Sequence, residues 1–274
     1  MLSFLVGNNI LRISERRKAM ANSTGPVQSI DRVLDIIETL SEHPQGLTLK
    51  TLSEYVDLHI STTHRLLTAI IVRGYVQKDE TTGKYRLTTR FYEIGSRIVH
   101  QVGLVTVARP LINKLSQEID ETIHLVMRDD TEVMYLYKEE SRNRILSMGS
   151  FIGSRRPLYC TATGKSILAN LKQEEIDAIW EKSDIRPITP YTILRKDDLM
   201  KELEEIRVLG YAIDHEENEL GVNCVAVAIL NSDNYPAGAI SVSGPAGRIQ
   251  GVALKQYADM LKEVAAHIKQ QLSG

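Results

Sequence analysis

Ser61, Thr62, His64 and Arg65 crowd four hydrogen-bonding side chains into little more than one helical turn. On a helix these positions fall three and four apart and share a face. A guanidinium can take both acceptors of a guanine edge, and hydroxyls or an imidazole can reach phosphates, so this face suits reading a DNA duplex. Further on, Lys84 and Arg86 flank Tyr85 and could neutralise backbone phosphates. A second polar group, Thr161, Thr163, Asp214, Ser241 and Ser243, with Cys224 opening an apolar run, suits different chemistry. Its hydroxyls, with backbone N–H groups near Gly164, could hold a carboxylate or a polyol through neutral hydrogen bonds. Helix caps and strand ends use the same residue types, so spacing alone leaves that plainer reading open.

Sharper chemistries fail on geometry. Thr163-Gly164-Lys165-Ser166 has the end of a nucleotide-binding loop, but Tyr159 stands where the first glycine must be. Asp214-His215-Glu216-Glu217 mixes metal-ligand types, yet neighbours on a strand point to opposite faces and do not converge. Cys160 and Cys224, the two cysteines, read as small buried hydrophobes, and His124 as a histidine packed beside an apolar strand. No set of nucleophile, base and orienting group emerges. Neither catalysis, a cofactor nor a metal is expected.

The elements that must position these residues follow from periodicity. With 274 residues, 43% hydrophobic and 25% charged, the chain suits two unequal folded domains. Ile30, Val33, Leu34, Ile37 and Leu40 recur at helical spacing, with Ser29 as the expected cap and His43-Pro44-Gln45-Gly46 as the stop. A short helix follows Thr48. A third, capped by Ser61, buries Thr63, Leu66, Leu67 and Ile70 and ends at Arg73-Gly74. Two strands, 75–78 and 84–87, then form a hairpin. Leu52, Val56, Leu58 and Leu66 stand where the two helices of a helix-turn-helix must pack, and Asp57 stands at the turn, where a left-handed conformation is required. Past the helix 90–102, helices alternate with strands, including 133–138 with Val133, Tyr135 and Tyr137 inward and Met134 and Leu136 outward. The tight connection 232–236 makes the last two strands antiparallel.

The expected organisation is a flexible tail (1–26), a winged helix-turn-helix domain (27–89), a linker helix (90–103) and an α+β domain with a mostly antiparallel sheet (104–274). Residues Arg12, Arg16, Arg17 and Lys18 follow the apolar start of the tail, the reverse of a signal peptide. No apolar run approaches the roughly 20 residues of a membrane span. A cytoplasmic protein without membrane contact is expected. The net charge of -2 does not oppose DNA binding, since local patches decide it, but acidic residues near the reading helix call for dimerisation to reach tight binding.

Several ordered motifs carry a resemblance over about residues 27–272. Ile60-Ser61-Thr62-Thr63-His64-Arg65-Leu66-Leu67, Gly74-Tyr75-Val76 and Tyr85-Arg86-Leu87 resemble the DNA-binding domain of the IclR family of bacterial regulators. Glu121-Thr122-Ile123-His124, Arg156-Pro157-Leu158-Tyr159-Cys160-Thr161-Ala162-Thr163-Gly164-Lys165, the stretch 210–226 and Ser241-Val242-Ser243-Gly244-Pro245 continue the likeness. The resemblance implies a GAF-like α/β effector domain whose pocket is lined by Ala162, Thr163, Asp214, Cys224, Ser241 and Ser243. It also implies a homodimer or homotetramer on a palindromic operator, repressing a catabolic operon until a sugar acid or keto acid binds. Activation by the same parts, or a ligand-responsive enzyme or interaction module, are the alternatives. Where the family often has glycine or alanine before Gly164-Lys165, this chain has Ala162 and Thr163, which implies a different pocket floor.

Overall fold

The computed structural model describes residues 27–101, 103–141 and 149–272. The expected tail, 1–26, lies outside them. Two compact units divide after Ile98, and each is described by itself.

In the first unit, helix α1 (Gln28–Ser41) precedes β1 (Leu47–Thr48), α2 (Leu49–Tyr55), α3 (Ile60–Val72) and the hairpin β2 (Val76–Lys78) and β3 (Lys84–Leu87). Ile36, Leu40, Leu52, Val56, Leu66, Leu67, Ile70, Val76 and Tyr85 form its core. The cap of α1 is Val27, not Ser29, and it makes no side-chain bond; Asp31 in the first turn supplies the favourable negative charge. Asp57 takes the left-handed conformation at φ 51°, as the turn requires. The cap of α3 also differs from expectation. The helix starts one residue before Ser61, and His59 Nδ1 accepts the Ser61 N–H at 3.4 Å. An imidazole lone pair here does what a hydroxyl or carboxylate usually does. The hairpin loop is tied by Asp79 Oδ1, which accepts the N–H groups of Thr81 and Thr82 at 2.9 Å each. Helix α4 (Arg90–Gln101) follows.

The second unit is built on a six-stranded sheet of order β6-β5-β4-β9-β8-β7, antiparallel at every step. Its strands are β4 (Thr122–Asp129), β5 (Glu132–Glu139), β6 (Arg155–Pro157), β7 (Ala212–His215), β8 (Val222–Leu230) and β9 (Pro236–Pro245). Helices α5 (Leu104–Glu118) and α9 (Gly251–Leu272) cover one face with an apolar core that includes Ile112, Ile123, Leu125, Val225, Val242 and Leu261. On the other face α6 (Ala162–Leu168), α7 (Gln173–Lys182) and α8 (Lys196–Leu209) enclose a second core with Val126, Val133, Tyr135, Leu158 and Leu203. Burial on both faces explains why Leu136, expected outside, is buried. A β-bulge opposite Leu125 and Val126 also breaks the alternation of β5. Tyr135 stays on the α6 side, while Tyr137 turns to the α5 side and bonds Asn113 and Glu139. Strand β6 has no counterpart among the expected elements; it is only three residues long, too short for a period to register.

Candidate functional site

Helix α3 is two-faced. Thr63, Leu66, Leu67 and Ile70 are buried, whereas Ser61, His64 and Arg65 are exposed and Thr62 is half-buried. The four predicted reading residues therefore lie together, away from the core. The Ser61 hydroxyl is already engaged with His59 Nδ1 at 2.9 Å, so part of its polarity goes to fixing the helix start. On β3, Lys84 and Arg86 alternate with the buried Tyr85 and share the opposite side of the strand. Gln77 lies directly across from Arg86 and, with its amide oxygen turned to the guanidinium, accepts from it at 2.8 and 3.2 Å. Sequence reasoning misses His59 because histidine is not among the favoured cap residues.

The second group also comes together. The pairing registers put Asp214 of β7, Cys224 of β8, Ser243 of β9 and Thr122 of β4 in one row across the sheet. One step along, Ala212, Ala226, Ser241 and His124 form the next row, and Lys138 of β5 continues it. Residues directly opposite on antiparallel strands share a face, and Ala212 belongs to the core on the α6 side, so both rows face α6. Helix α6 packs across β8 and β9, which brings Ala162 and Thr163 over this face. Thr161 caps the helix by accepting the Gly164 N–H at 3.1 Å and donates its own hydroxyl to Pro157 O at 2.9 Å. Gly164 is required by close approach: a β-carbon there would collide with the carbonyl oxygen, Cα and carbonyl carbon of Leu158.

Electrostatics distinguish the members of this group. Burial, followed by the neighbouring Glu217 charge, pushes the Asp214 carboxyl up to about 7; Lys165 and the N–H groups of Glu217 and Asn218 pull the other way. Burial pushes His124 down to about 3, with Lys138 adding to the shift, so its ring is neutral. Its Nδ1 lies 3.3 Å from Ser243 Oγ and its Nε2 2.9 Å from Ser150 Oγ. The thiols of Cys160 and Cys224 are pushed up by burial and then by Asp214, which leaves them protonated and poor nucleophiles. A face lined by small neutral donors and acceptors, with one carboxyl able to gain or lose a proton near neutrality, has the chemistry to hold an acid or a polyol.

The sequence does not point to the ion cluster behind this site. Lys165 is fully buried and bonds both Glu202 of α8 and Glu217 of the turn after β7. Burial alone would lower its ammonium, but the two carboxylates more than reverse that and keep it charged. Glu217 in turn donates its N–H to Asp214 Oδ1 at 2.7 Å, so the cluster holds the Asp214 turn in place.

The raised Asp214 carboxyl gives a signed pH dependence. Its folded value of about 7 lies above the unfolded 3.8, so the folded state binds the extra proton. The stability this contributes is fully present below the unfolded value and is lost as pH rises through the folded one. Asp214→Asn should therefore match the wild type near pH 4 and grow more stable relative to it toward pH 8. Urea midpoints of the two proteins across that range measure the difference, and a constant offset would show that Asp214 does not titrate abnormally.

Comparisons with known proteins place both units in one family. Residues 29–80 match the IclR helix-turn-helix domain, and residues 96–270 match the family described as bacterial transcriptional regulator IclR C-terminal. An uncharacterized HTH-type transcriptional regulator of Haemophilus influenzae is 35% identical over 261 residues, spanning 94% of this chain and 96% of its own. The Escherichia coli DNA-binding transcriptional repressor YiaJ is 36% identical over 247 residues, spanning 89% of this chain and 88% of its own. Among solved structures, the IclR of Thermotoga maritima superposes with a TM-score of 0.81 at 29% identity, covering 91% of this chain and 100% of its own. Among the described residues, no helix is long and apolar enough to cross a membrane. The chain belongs to the IclR family of bacterial transcriptional regulators, and it is a DNA-binding regulator with a C-terminal effector domain rather than an enzyme.

Proposed function

We propose that this regulator is a cytoplasmic repressor of a catabolic operon, released from a palindromic operator when a small organic acid, a sugar acid or a keto acid, binds its C-terminal unit. The observation that carries the DNA half is the exposed polar face of α3, opposite its buried apolar face. In this reading Arg65 and His64 meet base edges, Ser61 and Thr62 meet phosphates, and Lys84 and Arg86 on the wing add non-specific attraction. Repression is supported by the likeness to YiaJ, itself a repressor. Exposed Ile30 and Leu34, four apart on α1, offer an apolar strip to a second copy, which suits a homodimer or a tetramer built from one. In the effector half, Ala162, Thr163, Asp214, Cys224, Ser241 and Ser243 hold the acid. Occupancy acts through the linker helix α4 on the separation of two reading helices, which must match one turn of DNA to bind together.

Arg65→Ala tests the reading. Fluorescence anisotropy with duplexes from the regulator's own chromosomal neighbourhood should show a loss of roughly 1–3 kcal/mol of discrimination between operator and scrambled sequence. Lys84→Ala or Arg86→Ala should instead weaken every duplex alike and lessen the salt dependence. Unchanged discrimination in Arg65→Ala would remove α3 as the reading helix.

A further inference from the structure

Two cations on the α6 side of the sheet have no part in the proposed pocket. Lys138 follows the β5 bulge and lies directly across from His124, which keeps it on the pocket side. Its Nζ donates to Ser150 O at 2.7 Å and lies 3.2 Å from Glu140. Arg156 of β6 lies directly across from Val133, a member of the α6-side core, and so shares that side. Its guanidinium donates to the carbonyls of Arg155 at 2.8 Å and Gly149 at 3.3 Å; among the described residues no carboxylate lies within ion-pair distance of it. Two neighbouring residues, Gly149 and Ser150, are thus held by two cations. Ser150 is joined to the pocket through His124, whose other ring nitrogen meets Ser243.

Besides Glu140, which pairs with Lys138, Glu219 answers these charges. Glu219, on the turn between β7 and β8, accepts the Gly149 N–H and feels both Arg156 and Lys138. Burial raises its carboxyl, and the two cations work against that rise. Glu219 therefore sits in a partly buried place beside two positive groups, and among the described residues it makes no direct ion pair to Arg156.

We propose that Lys138 and Arg156 form a cationic subsite for a second anionic group of the effector, which is then a hydroxylated dicarboxylate, and that Glu219 fills this subsite until the ligand displaces it. This rests on the effector reading above for the first carboxylate. The dimensions agree: the serines of β9 and Lys138 of β5 are two strand spacings apart, roughly 10 Å between backbones, which side chains of this length reduce to the span of a four- to six-carbon diacid. Displacing Glu219 pulls on the turn that also carries Glu217 and follows Asp214.

Matched acids test it whatever the natural ligand is. Tartrate against threonate, and glucarate against gluconate, differ only in a terminal carboxylate in place of a hydroxymethyl group. Binding to the full chain is measured by calorimetry and thermal unfolding at constant ionic strength. At least one diacid should bind roughly tenfold tighter than its monoacid, the worth of one charge-assisted contact. Arg156→Met and Lys138→Met should erase that preference, Arg156→Lys should keep part of it, and Glu219→Gln should tighten diacid binding. No preference in the wild type, no binding of any of the four acids, or a preference that survives both methionine variants overturns the proposal. Ser243→Val separates the two readings. If it abolishes monoacid binding while Arg156→Met changes nothing, the pocket stands and the cationic subsite falls; if the diacid preference depends on Arg156 and ignores Ser243, the subsite stands and the pocket assignment falls.

Discussion

Lys165→Met is expected to destabilise the C-terminal unit by about 3–5 kcal/mol, the usual cost of removing one partner from a buried ionic cluster. Lys165 is fully buried and Glu217 nearly so, and one oxygen of Glu217 already has no hydrogen-bond partner among the described residues. Without the ammonium, Glu217 must either protonate or stay charged and unpaired in a low-dielectric site, and both cost free energy. Glu202 is more exposed, at 30%, so Glu202→Gln should cost only about 1 kcal/mol. Adding Glu217→Gln to Lys165→Met should recover part of the loss, because it removes the stranded charge. Trp180 is the single tryptophan and lies on α7, so its fluorescence during urea unfolding reports this unit. A loss below about 1 kcal/mol in Lys165→Met would mean that water or rearrangement solvates Glu217, and that the cluster does not fix the Asp214 turn.

The parts of this protein that are legible in its sequence are those in which neighbours along the chain decide the outcome. Leu52, Val56, Leu66 and Leu67 recur at helical spacing and do form the core of the first unit. Asp57 is readable as a left-handed turn because few other residue types tolerate that conformation. Caps are less so. Ser29 and Ser61 are good cap residues by type, but each lies just inside its helix, and Val27 and His59 hold the cap positions instead. The facing of β5 fails at Tyr137 for another reason: a bulge depends on the partner strand, and nothing in residues 133–138 announces it. The candidate pocket residues emerge through family resemblance more than through spacing, since hydroxyls at strand ends are common. Lys165 marks the limit. Its two carboxylates lie 37 and 52 positions away, so the cluster exists only once α6, α8 and the β7–β8 turn are packed. Read locally, the same lysine suggests a nucleotide-binding loop.

Gly164 makes the same point with a second large effect. In the sequence it stands out for the N–H groups it exposes near a helix start, whereas its structural constraint is the absence of a side chain. A β-carbon at this position would overlap three backbone atoms of Leu158, and backbone does not yield as the end of a flexible side chain does. Gly164→Ala should therefore cost roughly 3 kcal/mol or more, or displace α6 from the sheet. Displacement has a functional signature. Thr161, Ala162 and Thr163 precede Gly164 on the same short element, so moving it would open the face lined by Asp214, Cys224 and Ser243 and weaken any acid bound there. The first unit has its own core and should keep its fold, so the variant is expected to hold operator DNA while responding poorly to effector. Urea unfolding followed at Trp180, with operator anisotropy on the same sample, measures both halves of this expectation. Wild-type stability together with an intact effector response would show that α6 can retreat from Leu158 at no cost, and that this close approach does not set the shape of the pocket.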